Sequence, residues 1–192
     1  IVAVVLLLAG GTIAAMGYRQ IQQDRELAHG RREVAIQQAL DDVKETRQSL
    51  LNSLSDSREL ARLLNRPQQW SAQIDLAKAD LQRAIELTKN AALQVNSKLI
   101  EQTKGLSQQI KQDRSNHQLV LKLEKTRGRQ AIWRGNDFQD AVSAAGYRSA
   151  FAEVAAKVDD DSLAEFVRSS SISEYLITTL DNWAATTTDE KA

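Results

Sequence analysis

IQQALDDVKETRQSLLNSLSDSRELARLL, residues 36–64, holds the pattern on which the fold turns. Ile36, Leu40, Val43, Arg47, Leu50, Leu54, Ser57, Ala61 and Leu64 alternate three and four residues apart. Seven of these nine are apolar, the spacing of a helical seam that packs against another helix. Leu51, Leu60 and Leu63 widen the stripe, so the face suits a helical bundle as well as a two-stranded coiled coil. Arg47 falls on the seam, where its stem can lie along apolar neighbours while the guanidinium reaches water. The pairing residues are Ile36, Leu40, Val43, Leu50, Leu54 and Leu64. Their partner is either a later helix of the same chain or a second copy in a homodimer.

Working forward, Asn65-Arg66-Pro67 is the clearest break in the chain. Proline disfavours helical geometry in the residue before it and is welcome in a helix's first turn. One helix should end near Leu64 and the next begin near Pro67. Trp70, Ile74, Ala77, Leu81, Ala84 and Ile85 start its stripe; Val95, Leu99, Leu106 and Ile110 continue it with a phase shift, and Leu119, Leu121 and Leu123 lie beyond. Gly105 weakens the middle by about 1 kcal/mol relative to Ala if exposed. A bend or short loop between Asn96 and Gly105 would let the two halves fold back as antiparallel helices.

Working backward, residues 1–17 read IVAVVLLLAGGTIAAMG without a charge. Their length fits a transmembrane helix clipped at its start, centred near Leu7 and anchored by Tyr18 and Arg19 at the lipid boundary. A signal-peptide core and a buried core helix are the competing readings. Arg19, Arg25, Arg31 and Arg32 follow the span and favour a cytoplasmic side for what comes next. The chain starts without Met, inside the apolar run, and reads as a piece of a longer protein.

Composition bounds the chemistry. Lys+Arg and Asp+Glu total 25 each, for a net charge of zero, which argues against a nucleic-acid partner. One proline and eight glycines suit long helices. The lack of cysteine excludes disulfides and thiolate metal sites.

Beyond Arg129 the aromatic residues concentrate: Trp133, Phe138, Tyr147, Phe151, Phe166, Tyr175 and Trp183. Trp133, Phe138, Tyr147, Phe151 and Trp183 are the expected core of a small unit of three or four short helices. Gly135-Asn136-Asp137 can stop one helix and cap the next. Ser162 with Glu165, and Ser171 with Glu174, each fit a capping box. Ile172, Leu176, Thr179, Leu180 and Trp183 line one face of a last helix.

No constellation for chemistry emerges. His29 and His117 lack a metal-ligand spacing and read as solvated helical histidines. Asp159-Asp160-Asp161 lacks a calcium-loop pattern and suits a helix start. Gly10-Gly11 lacks the Lys-Ser/Thr of a phosphate loop. The aromatic set lacks the basic cluster of a base-stacking platform. No catalytic residue, cofactor, metal or small-molecule ligand is expected.

The C-terminal block also bears a resemblance. Leu121-Lys122-Leu123-Glu124-Lys125-Thr126-Arg127, then Phe138 to Ala141, Tyr147 to Phe151 and the acidic turn at Asp159 to Asp161, resembles a module of planctomycete-type bacterial eukaryotic-like serine/threonine protein kinases. The ending Leu180-Asp181-Asn182-Trp183-Ala184 is its most specific element, and the likeness covers about a third of the chain. The resemblance implies a juxtamembrane linker in signal transduction: a kinase domain before the span, and sensory repeats after the module. It implies a single-pass bacterial inner-membrane protein whose soluble part is extracytoplasmic, opposite to the arginine rule. None of the kinase's own motifs is present, so no catalytic residue carries over.

The expected architecture is thus all-α: a transmembrane helix at 1–18, a first stalk helix at 19–64, and a second helix or hairpin at 67–129. A small helical module at 130–185 and a polar tail at 186–192 complete it. A membrane-anchored coiled-coil sensor or envelope spacer unrelated to kinases is the alternative.

Overall fold

In a computed structural model the backbone is described for residues 2–90, 96–130, 133–134, 137–138, 140–153 and 160–188. Within these, side chains are described for 20, 22–24, 26–89, 96–129, 144–153 and 161–185. The described chain is helical apart from one short hairpin. Helix α1 (Val2–Ser55) is followed by the short α2 (Ser57–Asn65), α3 (Pro67–Asn90) and α4 (Ser97–Gln130). Strands β1 (Trp133–Arg134) and β2 (Asp137–Phe138) lead to α5 (Asp140–Ala152), α6 (Asp160–Ser169) and α7 (Ser173–Thr188).

The seam closes within the chain. Ile36, Leu40 and Val43 are fully buried, and Leu50 and Leu54 nearly so, against Trp70, Ile74, Ala77, Leu81 and Ala84 of α3. Helix α4 completes a three-helix bundle and runs antiparallel to α3, since Trp70 faces His117 while Asp75 meets Arg114. The second half of α4 passes beyond the bundle and carries α5 and α7, so Leu119 and Leu123 share one core with Tyr147, Phe151 and Leu176.

The break before α2 departs from the expected single helix to Leu64. Asp56 leaves helical geometry (φ −90°, ψ 117°), and its carboxylate accepts from the backbone N–H groups of Arg58 and Glu59. This satisfies donors that a helix start otherwise leaves orphaned. The break also turns the stripe: Leu63 is buried, Leu64 only half-buried, and Ser57 and Ala61 are exposed. The stop at Asn65 and restart at Pro67 fall where proline puts them, with Arg66 held non-helical between. The second turn comes earlier than Gly105. Helix α4 starts at Ser97, Asn96 accepts from the Lys98 N–H, and the helix runs straight through Gly105.

The expected membrane span at residues 1–18 is corrected. Among the described residues no helix is long and apolar enough to cross a membrane. Helix α1 runs from Val2 to Ser55, continuing from the apolar run into the stalk as expected. The single-pass inner-membrane localisation falls with the span. The side chains of Leu7, Tyr18 and Arg19 lie outside the described residues.

Among the described residues the C-terminal unit holds three helices and one unexpected element. Trp133 pairs with Phe138 and Arg134 with Asp137 in antiparallel strands, where a helix stop and cap were expected; Gly135 and Asn136 lie outside the described residues. The side chains of Trp133 and Phe138 lie outside the described residues. Helix α6 starts two residues before Ser162, so Ser162 sits in its first turn.

Candidate functional site

The polar groups that matter converge on α4, at Asp113, Asn116 and Glu124, three and eight residues apart. Asp113, 5 % exposed, takes Arg47 of α1: Nε donates to Oδ2 at 2.7 Å and Nη2 to Oδ1 at 3.4 Å. The two-pronged geometry suits a planar guanidinium. It also explains why Arg47 is tolerated on the seam, for its charge is answered at the opposite helix. One turn on, Asn116 is buried; its Nδ2 donates to the Ser171 hydroxyl at 3.1 Å, in the turn before α7. Two turns further, Tyr175 of α7 donates its hydroxyl to Glu124 at 2.8 Å. Burial, then that hydrogen bond to a carboxylate, pushes the Tyr175 phenol above its ordinary range. The ladder therefore ties α1 and α7 to one rod.

His117 stands beside this ladder and is buried, not solvated as its sequence context led one to expect. Its ring lies 5.0 Å from the Trp70 ring at an angle of 54°, and it hydrogen-bonds the Pro67 carbonyl at the start of α3. Among the described residues neither His117 Nε2 nor Trp70 Nε1 has a hydrogen-bond partner. Burial holds the imidazole below its ordinary value, and Arg114 adds to this; the Pro67 hydrogen bond and Asp75 oppose it. Ser71, Asp75 and His117 line a cavity of about 180 Å³. The serine hydroxyl is directed to Asp75 at 3.4 Å, and Asp75 also meets Arg114 at 3.4 Å. A base oriented by an acid and aimed at a nucleophile is a different connectivity. Among the described residues no group of His, Asp and Glu is gathered to hold a metal.

In the C-terminal unit, Tyr147 and Phe151 are fully buried, and Trp183 stacks on Phe151 with centroids 5.7 Å apart and planes 11° from parallel. Tyr147 lies 6.4 Å from the same indole. Of the five expected core aromatics, the structure thus brings these three together. Ser171 does not cap α7: its hydroxyl serves Asn116, while Ser170 accepts from the Ile172 N–H.

Sequence reasoning missed Asp56, Asp113, Asn116 and Glu124. Asp56 had a signal, because a Glu three residues on marks a helix start. The others had none, since a polar residue on a helix declares its partner only when the helices are docked.

The class defined by this arrangement is a three-helix bundle joined through one long helix to a smaller helical unit. Comparison with protein-family models, curated proteins and solved structures gave no match for the chain. The kinase and signal-transduction readings gain no support from these comparisons. The residues that carried the likeness have packing roles instead: Leu123 is core, Glu124 holds Tyr175, and Trp183 covers Phe151.

Proposed function

We propose that this chain is a non-catalytic helical spacer that fixes the separation of whatever its two ends present. The carrying observation is the polar ladder on α4. Asp113, Asn116 and Glu124 each engage a different partner, namely α1, the turn before α7, and α7 itself. Apolar ridges allow helices to slide by a turn at modest cost, whereas a slipped ladder strands buried polar groups at about 1–3 kcal/mol each. Register is therefore held more tightly than burial alone would hold it. Spin labels at the exposed positions Gln48 and Ile177 test this by pulsed dipolar spectroscopy. A single narrow distance distribution, unchanged by salt, is expected. A broad or two-peaked distribution would remove the spacer reading.

A further inference from the structure

A groove of about 730 Å³ runs along α3 and α4, lined by residues of these two helices alone. Ile85 and Ile100 supply its apolar contacts, and Ile100 is 37 % exposed. Thr88 and Thr103 also face it, but each hydroxyl donates to its own helix, to the carbonyls of Ala84 and Leu99. The floor at Ile85 and Ile100 thus offers apolar contact, and Ser107 and Gln108 add polar groups on the α4 side. Lys89 stands on the α3 wall, and Lys104 and Lys111 stand two turns apart on the α4 wall. All three are exposed, and among the described residues no carboxylate lines the groove. Among the described residues none of the three makes an ion pair, whereas Arg47, Arg114 and Lys122 each meet a carboxylate of another segment.

We propose that this groove docks an acidic amphipathic helix of a partner protein, seated as a fourth helix against α3 and α4. Two antiparallel helices form the concave trough into which a third helix's ridge fits. From Ile100 to Lys111 the trough is about 16 Å long, roughly three turns. An apolar ridge spaced three and four residues apart would meet Ile85 and Ile100. Carboxylates flanking it on both sides would meet lysines on both walls. A flat anionic surface fits less well, because it cannot reach the floor between the walls.

The test uses the full chain and a synthetic helical peptide of about 14 residues, with leucines at the three-four spacing and flanking glutamates. Calorimetric titration should give saturable one-to-one binding that weakens with salt. K89E/K104E/K111E should raise Kd about tenfold or more, and a lysine version of the peptide should bind that variant and not the unaltered chain. Amide shift mapping on the unaltered chain should place the changes at Ile100 and Thr103, which guards against a misfolded variant. The proposal is overturned by absence of saturable binding, by equal binding to the triple variant, or by shifts confined elsewhere. Binding to phosphatidylglycerol vesicles in place of the peptide also overturns it. So does self-association of the chain that the triple variant abolishes, since the occupant would then be a second copy.

Discussion

Replacing Arg47 by Met probes the contact that ties α1 to α4. The substitution keeps an apolar stem on the seam and removes the cation. Asp113 is then left with a carboxylate 5 % exposed to water and no partner across the interface. Removing one member of a buried pair costs about 3–5 kcal/mol, against about 0–1 kcal/mol for a surface pair. Arg47 is itself 21 % exposed, so Asp113→Leu leaves a guanidinium that can still reach solvent. That change should cost less, about 2–3 kcal/mol. Arg47→Met with Asp113→Leu removes both charges and fills the space with apolar atoms. The double variant should lie near the unaltered chain or up to a few kcal/mol above it. Urea unfolding followed by far-UV circular dichroism, extrapolated linearly, measures all three. A loss below about 1 kcal/mol for Arg47→Met, or a double variant as weak as the two single losses summed, would refute the buried-pair reasoning.

Three further outcomes follow from the packing. Phe151→Ala should cost about 3–5 kcal/mol in the same unfolding assay and weaken the near-UV signal of Trp183, which stacks on the lost ring; an unchanged near-UV spectrum would contradict that stacking. Gly146→Ala would place a Cβ 2.8 Å from Thr126 Cγ2 and 2.9 Å from its Oγ1, where α5 crosses α4. It should cost about 1–3 kcal/mol, and Thr126→Ala in the same chain should recover most of it; failure to recover would place the strain elsewhere. His117 is held below its ordinary value of 6.5 in the folded chain, so below that pH the unfolded chain binds the proton first. Its contribution to stability is complete above about pH 6.5 and is lost as pH falls from there. Unfolding at stepped pH should show this fall in the unaltered chain and a shallower one in His117→Gln; equal slopes would count against it.

Much of the fold was legible because helices announce themselves locally. The three-four spacing from Ile36 to Leu54 is a property of one helix face, and so is that of Trp70 to Ala84. Pro67 marks its boundary through its own ring geometry. The aromatic trio Tyr147, Phe151 and Trp183 was found because large apolar side chains beside helix starts have few alternatives to a core. The hairpin at Trp133 and Phe138 was missed because Gly-Asn serves helix stops and two-residue hairpins alike. Composition misled at residues 1–18, where an uncharged run was given a membrane that no described helix spans.

By itself the sequence determined that the chain is helical, where the principal proline break falls, and which face of the first seam seeks burial. It could not choose between a seam closed on α3 and one closed on a second chain, because both bury the same Ile36, Leu40 and Val43 side chains. Only the tertiary structure placed these side chains in one core with α3 and gave Arg47, Asn116, His117 and Tyr175 their partners. The physical reason is one of range. Periodicity and capping are set within a few residues, whereas a buried polar group finds its partner across 51 to 66 residues of chain, after the helices have met.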